Sequence, residues 1–100
     1  MTKQIFEQVY KTGKSFASRN LILYVAEGKD VGFAAGKKLG SAPLRNRIKR
    51  LMRESFRLIK DNVADKAIIF IGRKGLVNAK RQDVDKAMIE ILKKANIYDD

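Results

Sequence analysis

The sequence predicts an α+β fold, a two-layer α/β sandwich in which helices pack on a small central β-sheet. Two observations carry this reading. Over 43–60 and 84–95 apolar residues recur at three and four positions, the period of an amphipathic helix, whereas 20–26, 31–37 and 67–71 alternate or run apolar, as strands do. The order is therefore helix, strand, strand, helix, strand, helix. One hundred residues, 45% hydrophobic with only 1 Pro and 7 Gly, suit one domain over 1–100 whose core needs no metal or disulfide.

Thr2 is placed to cap a first helix that runs to about Thr12 and stops at Gly13. Phe6 and Tyr10 lie one turn apart on one face of it, with Ile5 and Val9 beside them. Asn20 to Ala26 and Val31 to Lys37 read as the two strands of a hairpin, with Glu27, Gly28, Lys29 and Asp30 as the turn. Pro43 suits the first turn of a helix reaching Lys60, whose core stripe is Leu44, Ile48, Leu51, Met52, Ser55, Leu58 and Ile59. Ala67 to Ile71 is a β-rich strand ended by Gly72, and Arg73, Lys74 and Gly75 begin a polar connection. The last helix has the stripe Val84, Ala87, Met88, Ile91, Leu92 and Ala95; Asn78 is its best available cap but lies early.

Charge narrows the function. Lys and Arg number 22 against 11 Asp and Glu, a net charge of +11, and such a field attracts polyanions. Nucleic acid is the favoured partner, ahead of an anionic membrane surface or a merely basic soluble protein. The absence of Cys removes disulfides and thiolate nucleophiles, and the absence of His removes zinc sites of the usual kind. The runs Leu21 to Ala26 and Ala67 to Ile71 are too short to span a bilayer, and Met1 to Tyr10 lacks a signal-peptide pattern. A cytoplasmic location is expected, with neither a membrane nor a small-molecule substrate as partner.

The positive charge is concentrated. From 37 to 60 the chain carries Lys37, Lys38, Arg45, Arg47, Lys49, Arg50, Arg53, Arg57 and Lys60, opposed only by Glu54. Arg45, Lys49, Arg53 and Arg57 are spaced by four and form one ridge, which Arg50 widens. Like charges so spaced cost about 0.2–0.5 kcal/mol per pair in an isolated helix, a penalty that an anionic partner would offset. Guanidinium forks suit bidentate phosphate binding, and amides of the Gly40-Ser41 turn add donors at the positive end of the helix dipole. The competing reading is a solvated outer face of a core helix.

The run Lys37-Lys38-Leu39-Gly40 followed by Arg45-Asn46-Arg47-Ile48-Lys49-Arg50-Leu51-Met52-Arg53-Glu54-Ser55-Phe56-Arg57 resembles the signature of the bacterial ribonuclease P protein component. Phe6 to Ser15, Tyr24 and Arg73-Lys74-Gly75 resemble that family in the same order. Gly36 and Pro43 depart from its common pattern. The resemblance implies a sheet with a left-handed crossover leading through the Arg-Asn-Arg helix, against the usual rule. It implies an accessory subunit of an endoribonuclease, with catalysis in a partner RNA and magnesium held mainly by that RNA and its substrate.

The partners it implies are ribonuclease P RNA and precursor tRNA. The RNA-binding set is Lys37, Lys38, Arg45, Asn46, Arg47, Lys49, Arg50, Arg53 and Arg57. Phe6, Tyr10 and Tyr24, with Lys14, Ser15 and Arg19 nearby, would line a cleft for the single-stranded 5′ leader. On spacing alone Phe6 and Tyr10 read as ordinary packing, and Phe33, Phe56 and Phe70 are left to the core. Two other functions stand beside this one. One is a ribosomal-type or RNA-chaperone protein that reads RNA shape. The other is a self-contained magnesium nuclease, for which Asp61, Asp65, Asp83 and Asp85 are the scattered candidates.

Overall fold

The computed structural model describes residues 1–100 as α1 (Lys3–Thr12), β1 (Lys14–Ala17), β2 (Leu21–Ala26), β3 (Asp30–Ala35), α2 (Ala42–Ile59), β4 (Ala67–Gly72) and α3 (Arg81–Lys94). A strand apolar at every position, as Ala67 to Ile71 is, needs cover on both faces and a partner on each edge. β4 has both. It pairs antiparallel with β2 (Leu23 opposite Phe70) and parallel with β3 (Phe33 opposite Phe70), in the order β1-β2-β4-β3.

That central position corrects the expected hairpin. The Glu27–Lys29 turn carries the chain across β4 instead of pairing β2 with β3, because the strand with two apolar faces takes the middle of the sheet. A strand is also added: Lys14–Ala17 pairs antiparallel with β2, so three strands precede α2. The expected strand 31–37 ends at Ala35, and Lys37–Leu39 forms a 3-10 turn.

The α+β class holds, with the helices divided between the two faces. Leu21, Leu23, Ile68 and Phe70 meet Ile48 and Met52 of α2 and Val84, Met88, Ile91 and Leu92 of α3 in one buried cluster. α1 lies on the other face, where Val9 packs on Ala67 and Ile69. Fully burying an aliphatic side chain stabilises by about 1.5–3 kcal/mol, so the larger cluster dominates. Leu58, expected in the stripe of α2, is instead 73% exposed.

Helix starts follow local chemistry. The Thr2 hydroxyl accepts from the Ile5 amide at 3.3 Å and that of Ser41 from the Leu44 amide at 3.4 Å, with Pro43 in the first turn of α2. α3 takes its cap from inside: the Lys80 amide donates to the Asp83 carboxylate at 2.9 Å, and Asn78 plays no part.

Stereochemistry gives the hand of the β3–α2–β4 crossover. Phe33 faces α2, and the β3 amide that reaches β4 is that of Asp30, from the alternate set of residues (3.3 Å to the Lys66 carbonyl). In a strand of L-residues running upward, a residue whose side chain points at the viewer aims its N–H and C=O to the right, and its neighbours aim theirs left. Seen from α2, β4 therefore lies to the left of β3. The crossover is left-handed, as the resemblance implies.

Candidate nucleic-acid interface

The ladders place Leu21, Gly72 and Ala35 side by side, so β2 begins where β3 and β4 end. Three basic segments meet at that end of the sheet: Arg19 in the β1–β2 turn, Lys37 and Lys38 leading into α2, and Arg73 and Lys74 after β4. Arg73 joins two of the loops, since its guanidinium donates to the Ser18 carbonyl at 2.8 Å and its amide to the Asn20 carbonyl at 3.0 Å. In the sequence Arg73 and Lys74 read as a connection that resembles the family, without a place in the RNA-binding set. Their position after the central strand is the signal that places them here.

α2 turns Ile48, Met52 and Ser55 to the core and its cations away from it. Asn46, Arg47, Arg50, Arg53 and Arg57 are exposed, while Arg45 and Lys49 are half-buried. The Arg45 Nε is buried with no hydrogen-bond partner. Arg47 points toward α3 and donates to the Ala79 carbonyl at 3.2 Å, so the two arginines of the Arg-Asn-Arg motif diverge. The Arg53 guanidinium lies 5.6 Å from the Phe33 ring centroid, a cation–π contact worth about 0.5–1 kcal/mol at an exposed site. None of the five ion pairs in the molecule uses a cation of α2. The ridge remains free to bind phosphate.

The aromatic residues come together on the α1 face. Tyr10 lies 6.0 Å from Phe6 and 4.9 Å from Tyr24, ring to ring, the second pair nearly perpendicular. Tyr10 is 41% exposed, and its phenol is pushed above the usual value of 10.0 by burial first and by Tyr24 second. Phe6 lies so close to β3 that a Cβ on Gly32 would fall 2.6 Å from its ring. Ser15 stands opposite Tyr24 in the ladder and shares its face.

Lys14 does not join them. It pairs with Val25 and so projects to the other face of the sheet, beside Phe16, Ala95 and Ile97. Arg19 is at the basic end of the sheet, apart from the aromatic cluster. Half-buried Ile22, Ala34 and Ile71 share the face of Tyr24 and make an apolar strip from the tyrosines to that end. Phe33 and Phe70 stack at 5.8 Å with Phe56 at 5.6 Å from Phe70, packing in the core as expected.

Known proteins resemble the chain in sequence and in fold. The family model described as Ribonuclease P matches residues 1–96. The chain belongs to the ribonuclease P protein family. The Ribonuclease P protein component of Clostridium botulinum is 38% identical over 99 residues, covering 93% of this chain and 89% of its own. The solved RNase P protein of Staphylococcus aureus superposes with a TM-score of 0.88 at 31% identity, over 99% of this chain and 95% of that one. That of Thermotoga maritima gives 0.79 at 28% identity, over 89% of each.

As a ribonuclease P protein subunit, the chain serves an endoribonuclease of tRNA processing. Its own acids are dispersed: no three of Asp, Glu, His or Cys converge as metal ligands would. Asp83 caps α3, Asp85 accepts from Ser55 and Arg81, and Asp61 and Asp65 are exposed. No helix is long and apolar enough to cross a membrane. The ribonuclease P chemistry that this arrangement offers is anion binding at the α2 end and aromatic stacking under α1.

Proposed function

We propose that the chain docks on the catalytic RNA of ribonuclease P through α2 and the basic end of the sheet, and holds the 5′ leader of precursor tRNA along the α1 face. The observation that carries this reading is the α2 ridge, with no cation of Arg45, Lys49, Arg50, Arg53 or Arg57 engaged in an ion pair. Phosphates are what such a row binds. Tyr10 and Tyr24, with Ser15 beside them and the apolar strip beyond, offer a sequence-tolerant surface to unpaired bases. Phe6 packs beside Tyr10, 6.0 Å ring to ring.

No side chain is assigned a bond-breaking role. Magnesium held by the RNA and its substrate would activate water and stabilise the leaving oxygen. This chain's cations act by screening two polyanions from each other and gripping the leader. The test is competition at matched salt between ribonuclease P RNA and ribosomal RNA of similar length. Preference for ribonuclease P RNA by tenfold or more, on the order of 1.4 kcal/mol, is expected. Equal binding would favour a general RNA-binding protein instead.

A further inference from the structure

Glu54 is the one acid within the basic segment, and its carboxylate is bound by α3 rather than by the ridge. It lines a groove with Arg50, Arg53 and Arg57, two of which stand four residues before and three after it, the separations at which helix ion pairs form. It pairs with neither. Its Oε2 instead accepts from Arg81 of α3 at 3.2 Å. The Arg81 Nε also meets Asp85 at 3.1 Å and the hydroxyl of Ser55, which is fully buried, at 3.2 Å, while Ser55 donates to Asp85.

Arg81 holds this post against local preference. It is the first residue of α3, where the helix dipole disfavours a cation. A residue in conflict with its own element, and bound to three side chains of which two lie on another helix, is placed for what it does between the helices.

We propose that Arg81 is a positioning residue for the RNA-facing side of α2: by drawing Glu54 toward α3, it keeps Arg50, Arg53 and Arg57 free for phosphate. The inference rests on the reading of α2 as the RNA-docking helix. Without Arg81, Glu54 swings back and neutralises a neighbour, which removes about one phosphate contact from the docked state.

Binding to ribonuclease P RNA as a function of salt tests this with four variants. Arg81→Gln, folded by circular dichroism, is expected to lose about threefold to tenfold in affinity near 0.1 M salt, with a log–log slope shallower by about 0.9. Adding Glu54→Gln should restore both. Adding Glu90→Gln, which makes the same change in net charge on the outer face of α3, should not. Arg53→Glu reports separately on the surface itself. If Arg81→Gln does not fold, the comparison is made with Arg81→Met, which keeps the apolar stem and removes the charge that holds Glu54.

Unchanged affinity in the Arg81 variant, a loss that Glu54→Gln leaves in place, or equal rescue by Glu90→Gln would each overturn the inference while leaving the docking surface standing. Arg53→Glu without effect would remove the docking surface, and the role of Arg81 with it.

Discussion

Tyr24 and Tyr10 meet edge to face at 4.9 Å, with Tyr10 partly open to solvent, which leaves aromatic surface on which a base could stack. Tyr24→Ala is expected to cost precursor tRNA about 1–3 kcal/mol of binding and mature tRNA far less. Equal losses in the two titrations would make Tyr24 a packing residue. The raised Tyr10 phenol gives a second expectation with a definite sign. Its contribution to stability is full below the ordinary value of 10.0 and is lost as pH rises through the raised one. Tyr10→Phe should therefore flatten the fall in melting temperature between about pH 9 and about pH 11. The sequence pointed to both tyrosines through family resemblance, but not to the side of the sheet that Lys14 takes. Side chains alternate with a period of two, so the face of Lys14 depends on the register of β1, a strand too short and polar to recognise before β2 is in place beside it.

α2 carries two jobs on one cylinder, and they can be tested apart. On the docking side, if about six phosphates are engaged, the salt slope should be about 4.2 to 5.4, and Arg53→Glu should lower it by about one unit. An unchanged slope would count against this face. On the packing side, a Cβ at Gly72 would lie 2.8 Å from the Ile48 Cγ2, so the helix sits on β4 with no room for a side chain. Gly72→Val should destabilise the fold by about 1–3 kcal/mol, measured by urea unfolding, while leaving unfolding two-state.

Helix positions were legible because their periodicity is strong. Strand order was misread because the Glu27–Asp30 turn looks like a hairpin turn locally, whereas the better signal, the unbroken apolar run of β4, concerns the whole sheet. Ser55 was read as a core position without its partners, since nothing in the sequence ties it to residues 81 and 85.

At the scale of the molecule the charges are uneven. Arg19, Lys37, Lys38, Arg45, Arg47, Arg73 and Lys74 gather at one end of the sheet with Asp83 among them, while at the other end Glu27, Asp30, Asp61, Asp65, Asp99 and Asp100 outnumber Lys29, Lys60 and Lys66. This polarity orients the approach to a polyanion before contact is made. The central claim is that the chain supplies binding and no catalytic group, and it is tested most directly by reconstitution. RNA alone, protein alone and the mixture are each given precursor tRNA over a magnesium series. Cleavage by RNA alone only at high magnesium, by the mixture at low magnesium, and never by protein alone is the expected result. Replacing Asp61 or Asp65 should leave the maximal rate of the mixture intact. Leader removal by the protein without RNA, or a thousandfold drop in that rate with folding and RNA binding preserved, would contradict the claim.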